Sequence, residues 1–216
     1  MSMRLIILGT GGHATSLMET ATACAQFDQI NFIDPAKAGH SFMGGAVVAS
    51  PEQVEADDKT HFMAAIGDNS RRETAVLELM QALPHARFAT LVHPSASVSS
   101  FARLGVGTVV MQNAVVAANA HIGDHCILNS SATVEHDTMV DDFASLAPGA
   151  ITGGDCMIGK RAAVSIGAVM RHGVRLGEDA ILGANSYAHS EIPALTVAYG
   201  SPARVVRERK KSYPYL

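Results

Sequence analysis

From Val92 to Ser186 the chain keeps a beat of six residues. Aliphatic side chains stand at Val92, Val98, Leu104, Val110, Val116, Ile122, Leu128, Val134, Val140 and Leu146. Thr152 interrupts them, and the beat resumes at Ile158, Val164, Met170, Leu176 and Leu182. Four residues after each comes a small one, as at Ala96, Ala114, Cys126, Ala144, Cys156 and Ala180, with Val174 the bulkiest departure. A repeat of this regularity constrains the fold before any local propensity does. Helices repeat at about 3.6 residues and coiled coils at about 3.5, so neither keeps every sixth residue on one face. A simple strand alternates at two, and its apolar positions would not thin to one in six. A triangular solenoid satisfies both rules. Each hexad is one short flat side and one corner; the aliphatic residue points into the prism and the small one lies inside the corner. Three hexads close a coil, so the stretch supplies about five coils stacked at roughly 4.8 Å.

Ahead of the beat the pattern changes. Arg4 to Leu8 reads as a buried strand, then comes Gly9-Thr10-Gly11-Gly12-His13-Ala14 and a helical stretch to about Ala25. Ile30 to Ile33 is a second strand ending at Asp34, and His61 to Ile66 a third, leading through Gly67-Asp68-Asn69-Ser70-Arg71-Arg72 into a helix to about Ala82. Strands alternating with helices predict a small parallel α/β domain of about ninety residues. Its glycine turn, with Asp34 about twenty residues on, matches the loose dinucleotide fingerprint. Glycines there let a phosphate approach backbone N–H groups at a helix N-terminus. A dinucleotide needs two mononucleotide-binding halves, however, and only one precedes the solenoid; a mononucleotide diphosphate fits better. The competing reading is a tight turn with no ligand.

Within the solenoid, Asn129 to Asp137 carries the second constellation. His136 falls two residues past Val134, where a flat side gives way to a corner. One coil back stands Ala118, one coil on Gly154, and two coils on His172. A potential base is thus flanked by residues without bulk, beside backbone amide able to meet a developing oxyanion. Asp137 or Glu135 would hold the other ring nitrogen, fixing the tautomer and raising basicity. Pairing with Asp137 requires the corner to bend two adjacent side chains together. An ordinary surface histidine is the alternative. A metal is the minor reading of His121, His125 and His136, which occupy different places in the hexad and lack the stacking expected of a three-ligand site. His172 and His189 read as surface residues.

Taken together, the GTGGHA turn, AIGDNSRR, HPSA at the solenoid's start, NSSATVEHD, APGAITGG and the closing GSPAR resemble the NeuD/PglD family of sugar acyltransferases over nearly the whole chain. The resemblance implies an α/β N-terminal Rossmann-like domain over 1–90 that binds a nucleotide sugar. It implies a C-terminal left-handed parallel β-helix over 91–204 that binds acetyl-CoA, a tail over 205–216, and a homotrimer with active sites between neighbouring helices. By the same resemblance His136 is the general base, Asp137 the acid that raises its basicity, and Gly154 the amide that meets the thioester carbonyl. Ser145, Ile166 and Ala184 would line the acetyl-CoA groove. Gly11, Gly12, His13, Asp34 and Gly67 would form the acceptor's nucleotide site, with Asn69 and Arg72 nearby. Relatives often carry a histidine at the place of Ser145, a second acidic residue at Pro35 and a glycine at Ala184.

The implied activity is acetyl transfer to a UDP- or GDP-linked 4-amino-4,6-dideoxyhexose. A sugar O-acetyltransferase of the sialic acid type and a non-catalytic scaffold are the alternatives. Net charge is −4 with charged residues at 17%, which gives no basic field for nucleic acid or anionic membrane. No apolar run reaches membrane-spanning length and Met1 to Leu8 lacks a secretory layout. Three cysteines without metal-type spacing suggest a reduced, cytoplasmic protein that uses no metal. After Ser186 the beat fails, and a basic tail with Arg207, Arg209, Lys210 and Lys211 either meets the phosphates of CoA or forms a solvated helix.

Overall fold

The structure, a computed structural model, describes residues 3–211 and Tyr213. Met1 and Ser2, and Ser212 and residues 214–216 of the expected tail, lie outside the described residues.

The N-terminal half is a six-stranded sheet. Its strands are β1 (Arg4–Leu8), β2 (Gln29–Ile33), β3 (Ser41–Phe42), β4 (Gly45–Val48), β5 (Thr60–Ala64) and β6 (Arg87–Phe88), in the order β3-β4-β2-β1-β5-β6. All pairs are parallel except the β3–β4 hairpin. Helix α1 (Gly12–Cys24) follows β1 and α2 (Asn69–Ala82) follows β5. The β1 run Leu5-Ile6-Ile7-Leu8 is buried throughout, as a central strand covered on both faces must be. The hairpin and β6 were not read from sequence. Their short segments carry no alternation long enough to signal a strand.

The remainder is a stack of two-residue parallel strands on three faces. The first face runs from Leu91–Val92 up to Ile181–Leu182, the second from Ser97–Val98 to Tyr187–Ala188, and the third from Arg103–Leu104 to Arg175–Leu176. Partners are offset by eighteen residues, as Val110 with Leu128 and Val116 with Val134. The aliphatic beat fills the interior from Val110 to Leu182, with Ala114, Ala120, Ala132 and Cys126 inside the corners. Thr152 keeps the interior too, fully buried, its hydroxyl accepting from the Glu135 N–H at 3.0 Å.

Each corner holds one residue with left-handed backbone, recurring every sixth position: Gly107, Asn113, Asn119, His125, Ser131, Asp137, Phe143, Gly149, Asp155, Arg161, Gly167, Gly173, Asp179 and Asn185. Asn, Asp and Gly tolerate that conformation best and dominate these places. The first face is covered by the sheet domain: Leu17 and Ala21 of α1 share a core with Leu91, Val109, Met111 and Ile127.

Arg72 locks this union. Its buried guanidinium donates to the carbonyls of Ile66 (2.9 Å), Gly67 (3.2 Å), His125 (2.8 Å) and Phe143 (2.7 Å) and to Asn69 Oδ1 (2.7 Å). Asn69 in turn donates to Arg161 O and Ala162 O, both at 3.0 Å. Removing the guanidinium strands several buried acceptors, each costly to leave unmade. Arg72→Ala is expected to lower the unfolding free energy by about 3 kcal/mol, read by urea denaturation. A loss below about 1 kcal/mol would contradict the clamp.

The stack ends in strands Thr196–Gly200 and Ala203–Glu208, paired antiparallel on the first face. The tail is therefore not a solvated helix at its start. Arg209 turns inward instead, buried, donating to Asp179 O at 2.6 Å and lying 3.9 Å from that carboxylate.

Candidate active site

His136 follows the second-face strand Thr133–Val134 and precedes the third-face strand Met139–Val140, so it occupies the corner between those faces. Asp137 beside it has φ of 59°. That turn swings two consecutive side chains to the same side, and Asp137 Oδ2 accepts from His136 Nδ1 at 2.8 Å. Asp137, rather than Glu135, is the orienting acid. Its other oxygen accepts from Asn119 Nδ2 at 3.2 Å, one coil back. Subtracting eighteen from Asp137 would have found Asn119 in the sequence.

The hydrogen bond to Asp137 raises the His136 pKa above its ordinary value, outweighing desolvation, with the negative charges of Asp137, Glu135 and Asp155 acting in the same direction. The same bond holds the Asp137 carboxyl below its ordinary range. With Nδ1–H committed to the carboxylate, Nε2 carries the free lone pair. The ring lies over Gly154, where an added Cβ would come within 2.5 Å of both Cε1 and Nε2. The Gly154 N–H has no acceptor among the described residues.

Separately, a cleft of about 460 Å³ opens where α1 meets the first face. Gly12, His13 and Gly67 line it from the sheet domain, and Ser145, Ile166 and Ala184 from the solenoid. Ile166 is 58% exposed and Ser145 buried. Asn129, from the start of the second constellation, and Arg207, from the basic tail, also line this cleft, as do Ser165 and Tyr199, which no sequence signal marks. Strand Ala203–Glu208 carries Arg207 there by its return along the first face, which no spacing in the chain announces.

His13 has its Nε2 buried without a partner, and burial, reinforced by the Arg72 charge, lowers its pKa to about 4. Gly11 is the N-cap of α1 and exposed, with open space around it and Gly12.

The expected acceptor residues divide. Asp34 does not line the cleft; it borders a second cavity of about 430 Å³ with Gly9, Ser50, Glu52 and Ile66, beyond the carboxyl ends of β1, β2 and β5. Its Oδ2 accepts from the Thr10 N–H at 3.1 Å and the Thr10 hydroxyl at 2.5 Å, and its Oδ1 from the Ala36 N–H at 3.0 Å. Burial works to raise its pKa, but these bonds and Lys37 outweigh that and hold it low. Asn69 and Arg72, expected near the acceptor, stand close to Gly67 but do not line the cleft, their side chains being engaged in the interdomain clamp.

The corners divide as well. Ser145, Ile166 and Ala184 flank the first and second faces, while His136, Asp137 and Gly154 stand at the far side of the second face. The family resemblance, which assigns Gly154, Ser145, Ile166 and Ala184 alike to acetyl-CoA, places the active sites between neighbouring helices. Of the other histidines weighed for metal, His125 is buried between Phe88 and Phe143, with ring centroids at 4.6 and 5.0 Å. Desolvation there lowers its pKa to about 4. Among the described residues no group of three His, Cys, Asp or Glu side chains is placed to hold a metal ion. Among the described residues no helix is long and apolar enough to cross a membrane.

Residues 4–79 match the family model described as the PglD N-terminal domain. Among solved structures, the chain is similar to the acetyltransferase domain of PglB from Neisseria gonorrhoeae FA1090. They share 31% identity and a TM-score of 0.88, over 94% of this chain and 99% of that one. The same domain in complex with acetyl coenzyme A gives 32%, 0.85, 94% and 98%. PerB from Caulobacter crescentus, in complex with CoA and GDP-perosamine, shares 31% identity with a TM-score of 0.85, over 93% of this chain and 96% of that chain. No curated protein matches the sequence significantly.

Proposed function

Because the chain belongs to the NeuD/PglD family of sugar acyltransferases, we propose that it transfers acetyl from acetyl-CoA to the amine of a nucleotide-linked amino sugar. The acceptor is a UDP- or GDP-linked 4-amino-4,6-dideoxyhexose. The observation that carries this reading is the His136–Asp137 pair leaning over Gly154, a base and a free amide in one notch. An amine held as ammonium cannot attack. His136 Nε2 takes its proton as nitrogen closes on the thioester carbon. The Gly154 N–H meets the charge that builds on the carbonyl oxygen. The PerB complex with CoA and GDP-perosamine supports an amine acceptor on a nucleotide.

On the acceptor side, the cavity by Asp34 takes the nucleoside, the exposed N-terminus of α1 at Gly11 and Gly12 takes the diphosphate, and the cleft by His13 and Gly67 takes the sugar. His136 belongs to another corner, so one chain does not bring base and cleft together. The second face between them presents Ser97, Val115, Thr133, Ile151, Val169 and Tyr187 outward, without a charge, and Ile151 and Tyr187 are 41% and 37% exposed. Three such faces turned toward a common axis bury that surface. Each chain's His136 corner then meets its neighbour's cleft. The working form is a homotrimer acting in the cytoplasm. A sedimentation mass of one chain would remove the composite site.

A thiol-release assay with acetyl-CoA across UDP-, GDP- and dTDP-linked amino sugars and free sialic acid tests the activity. Release with a nucleotide amino sugar is expected; release only with free sialic acid would overturn it.

The pH dependence tests the pair. Protonated His136 cannot accept a proton, so kcat/KM rises as pH climbs through its pKa, which Asp137 holds above the ordinary imidazole range. Asp137→Asn removes the charge while keeping a residue suited to the left-handed corner. The acidic limb should move to lower pH, and the plateau should fall on the order of tenfold as the base weakens. An unmoved limb would show that Asp137 does not tune the base.

A further inference from the structure

We infer that His172 is a second side chain of the acyl-transfer centre, donating its ring N–H to the sulfur that departs. His136, Gly154 and His172 are successive rungs of one corner, tied by Asp155 N–H to His136 O at 2.9 Å and Gly173 N–H to Gly154 O at 3.0 Å. Rungs stack at roughly 4.8 Å, so two rungs separate the His136 and His172 backbones by about 10 Å. Their ring centroids are only 6.2 Å apart, inclined at 43°. The His136 ring lies over Gly154, and the two imidazoles border a common gap that the missing side chain of Gly154 leaves open. His172 is exposed, and its ring makes no hydrogen bond to the described residues.

The three rungs match the three parts of the reaction, and the inference rests on the acyl-transfer reading above. With the thioester oxygen on the Gly154 N–H and the acceptor nitrogen on the His136 side, the sulfur falls on the His172 side. Nitrogen's lone pair forms the C–N bond and its proton passes to His136 Nε2. The carbonyl pair moves to oxygen and returns. The C–S pair leaves on sulfur as a thiolate, which accepts the His172 N–H, while His136 releases its proton to solvent. A neutral imidazole still has one N–H to give, so the role holds in either charge state. A hydrogen bond to a forming anion is stronger than one to the neutral thioester, and the contact stabilises departure more than binding.

The test is steady-state thiol release by wild type, His172→Ala, His172→Gln and His136→Ala. His172→Ala should lower kcat on the order of 10- to 100-fold with KM for acetyl-CoA changed less than about threefold. His172→Gln, which keeps an N–H donor at similar reach, should recover to within about fivefold of wild type. A His172→Ala enzyme within twofold of wild type would overturn the assignment, as would a raised KM at unchanged kcat, which marks a grip on the cofactor alone. Should His136→Ala turn over like wild type in the same assay, the placing of the reaction at this corner fails first and this role with it. An inert His136→Ala beside a fully active His172→Ala removes only the role of His172.

Discussion

His136→Ala is expected to reduce kcat on the order of 10³-fold, leaving thermal stability and assembly unchanged. The size follows from the chemistry. At neutral pH the acceptor amine is mostly ammonium, and the other imidazole on this corner, His172, stands two rungs from His136. The neighbouring carboxylates, Asp137 and Glu135, are weak bases, and Asp137 is held lower still by its bond to the ring. Unchanged stability follows from placement: the His136 side chain is 54% exposed. A nucleophilic cysteine offers no detour. Cys126 is fully buried, and burial pushes its thiol up to about 12. Cys156 also points inward, its thiol raised by the same cause. Mass spectrometry after acetyl-CoA treatment should therefore find no acetylated cysteine. Turnover of His136→Ala within tenfold of wild type would end the assignment of the base.

Much of this site was legible because a solenoid makes distance in space a simple function of distance in sequence. The beat at Val92, Val98 and Leu104 gives the interior, and eighteen residues give the next rung, so Gly154 beside His136 could be read before any coordinate. The same arithmetic reached His172 but could not say that its ring centroid comes within 6.2 Å of that of His136, since a rotamer is not a register. It also treated all corners alike. Ser145 and Gly154 share a coil, yet they sit at different corners, and only closure of the triangle shows that a whole face separates them. The left-handed positions were legible in principle, because Asn113, Asn119, Asp137, Asp155, Asp179 and Asn185 recur with glycines at the same phase.

In the α/β half the strands and helices beside Gly9 and Gly67 followed from alternation. The roles of Asn69 and Arg72 did not. Both stand in a glycine-containing turn at a helix start, which is where ligand contacts are expected. Their partners, the carbonyls of His125, Phe143, Arg161 and Ala162, lie fifty to ninety residues away in the solenoid. The tail failed for a related reason. A run of cations looks solvated until Asp179 is found beneath Arg209.

Gly154→Ala adds one methyl group, and is expected to lower kcat on the order of 100-fold without destabilising the protein. The backbone at Gly154 is not in the left-handed region, unlike Gly173 one turn along at φ of 72°, so alanine meets no conformational penalty there. What it meets is the His136 ring, 2.5 Å from Cε1 and Nε2. The ring is half exposed and free to swing, so it yields, and the fold is spared. Yielding has a consequence in each direction open to it. A ring that tilts away from Gly154 carries Nε2 off the line between acceptor and amide. A ring that rotates about its stem gives up the 2.8 Å bond to Asp137 and with it the tautomer and the raised basicity. Either way base and oxyanion donor cease to address the same carbon, and misplacement of about 1 Å is enough to cost a factor of that order. The expected signature is a fall in kcat with the urea midpoint unchanged. Full turnover by Gly154→Ala would mean that the ring and the amide do not act on one acyl group, and the notch would lose its claim to be the place where the two substrates meet.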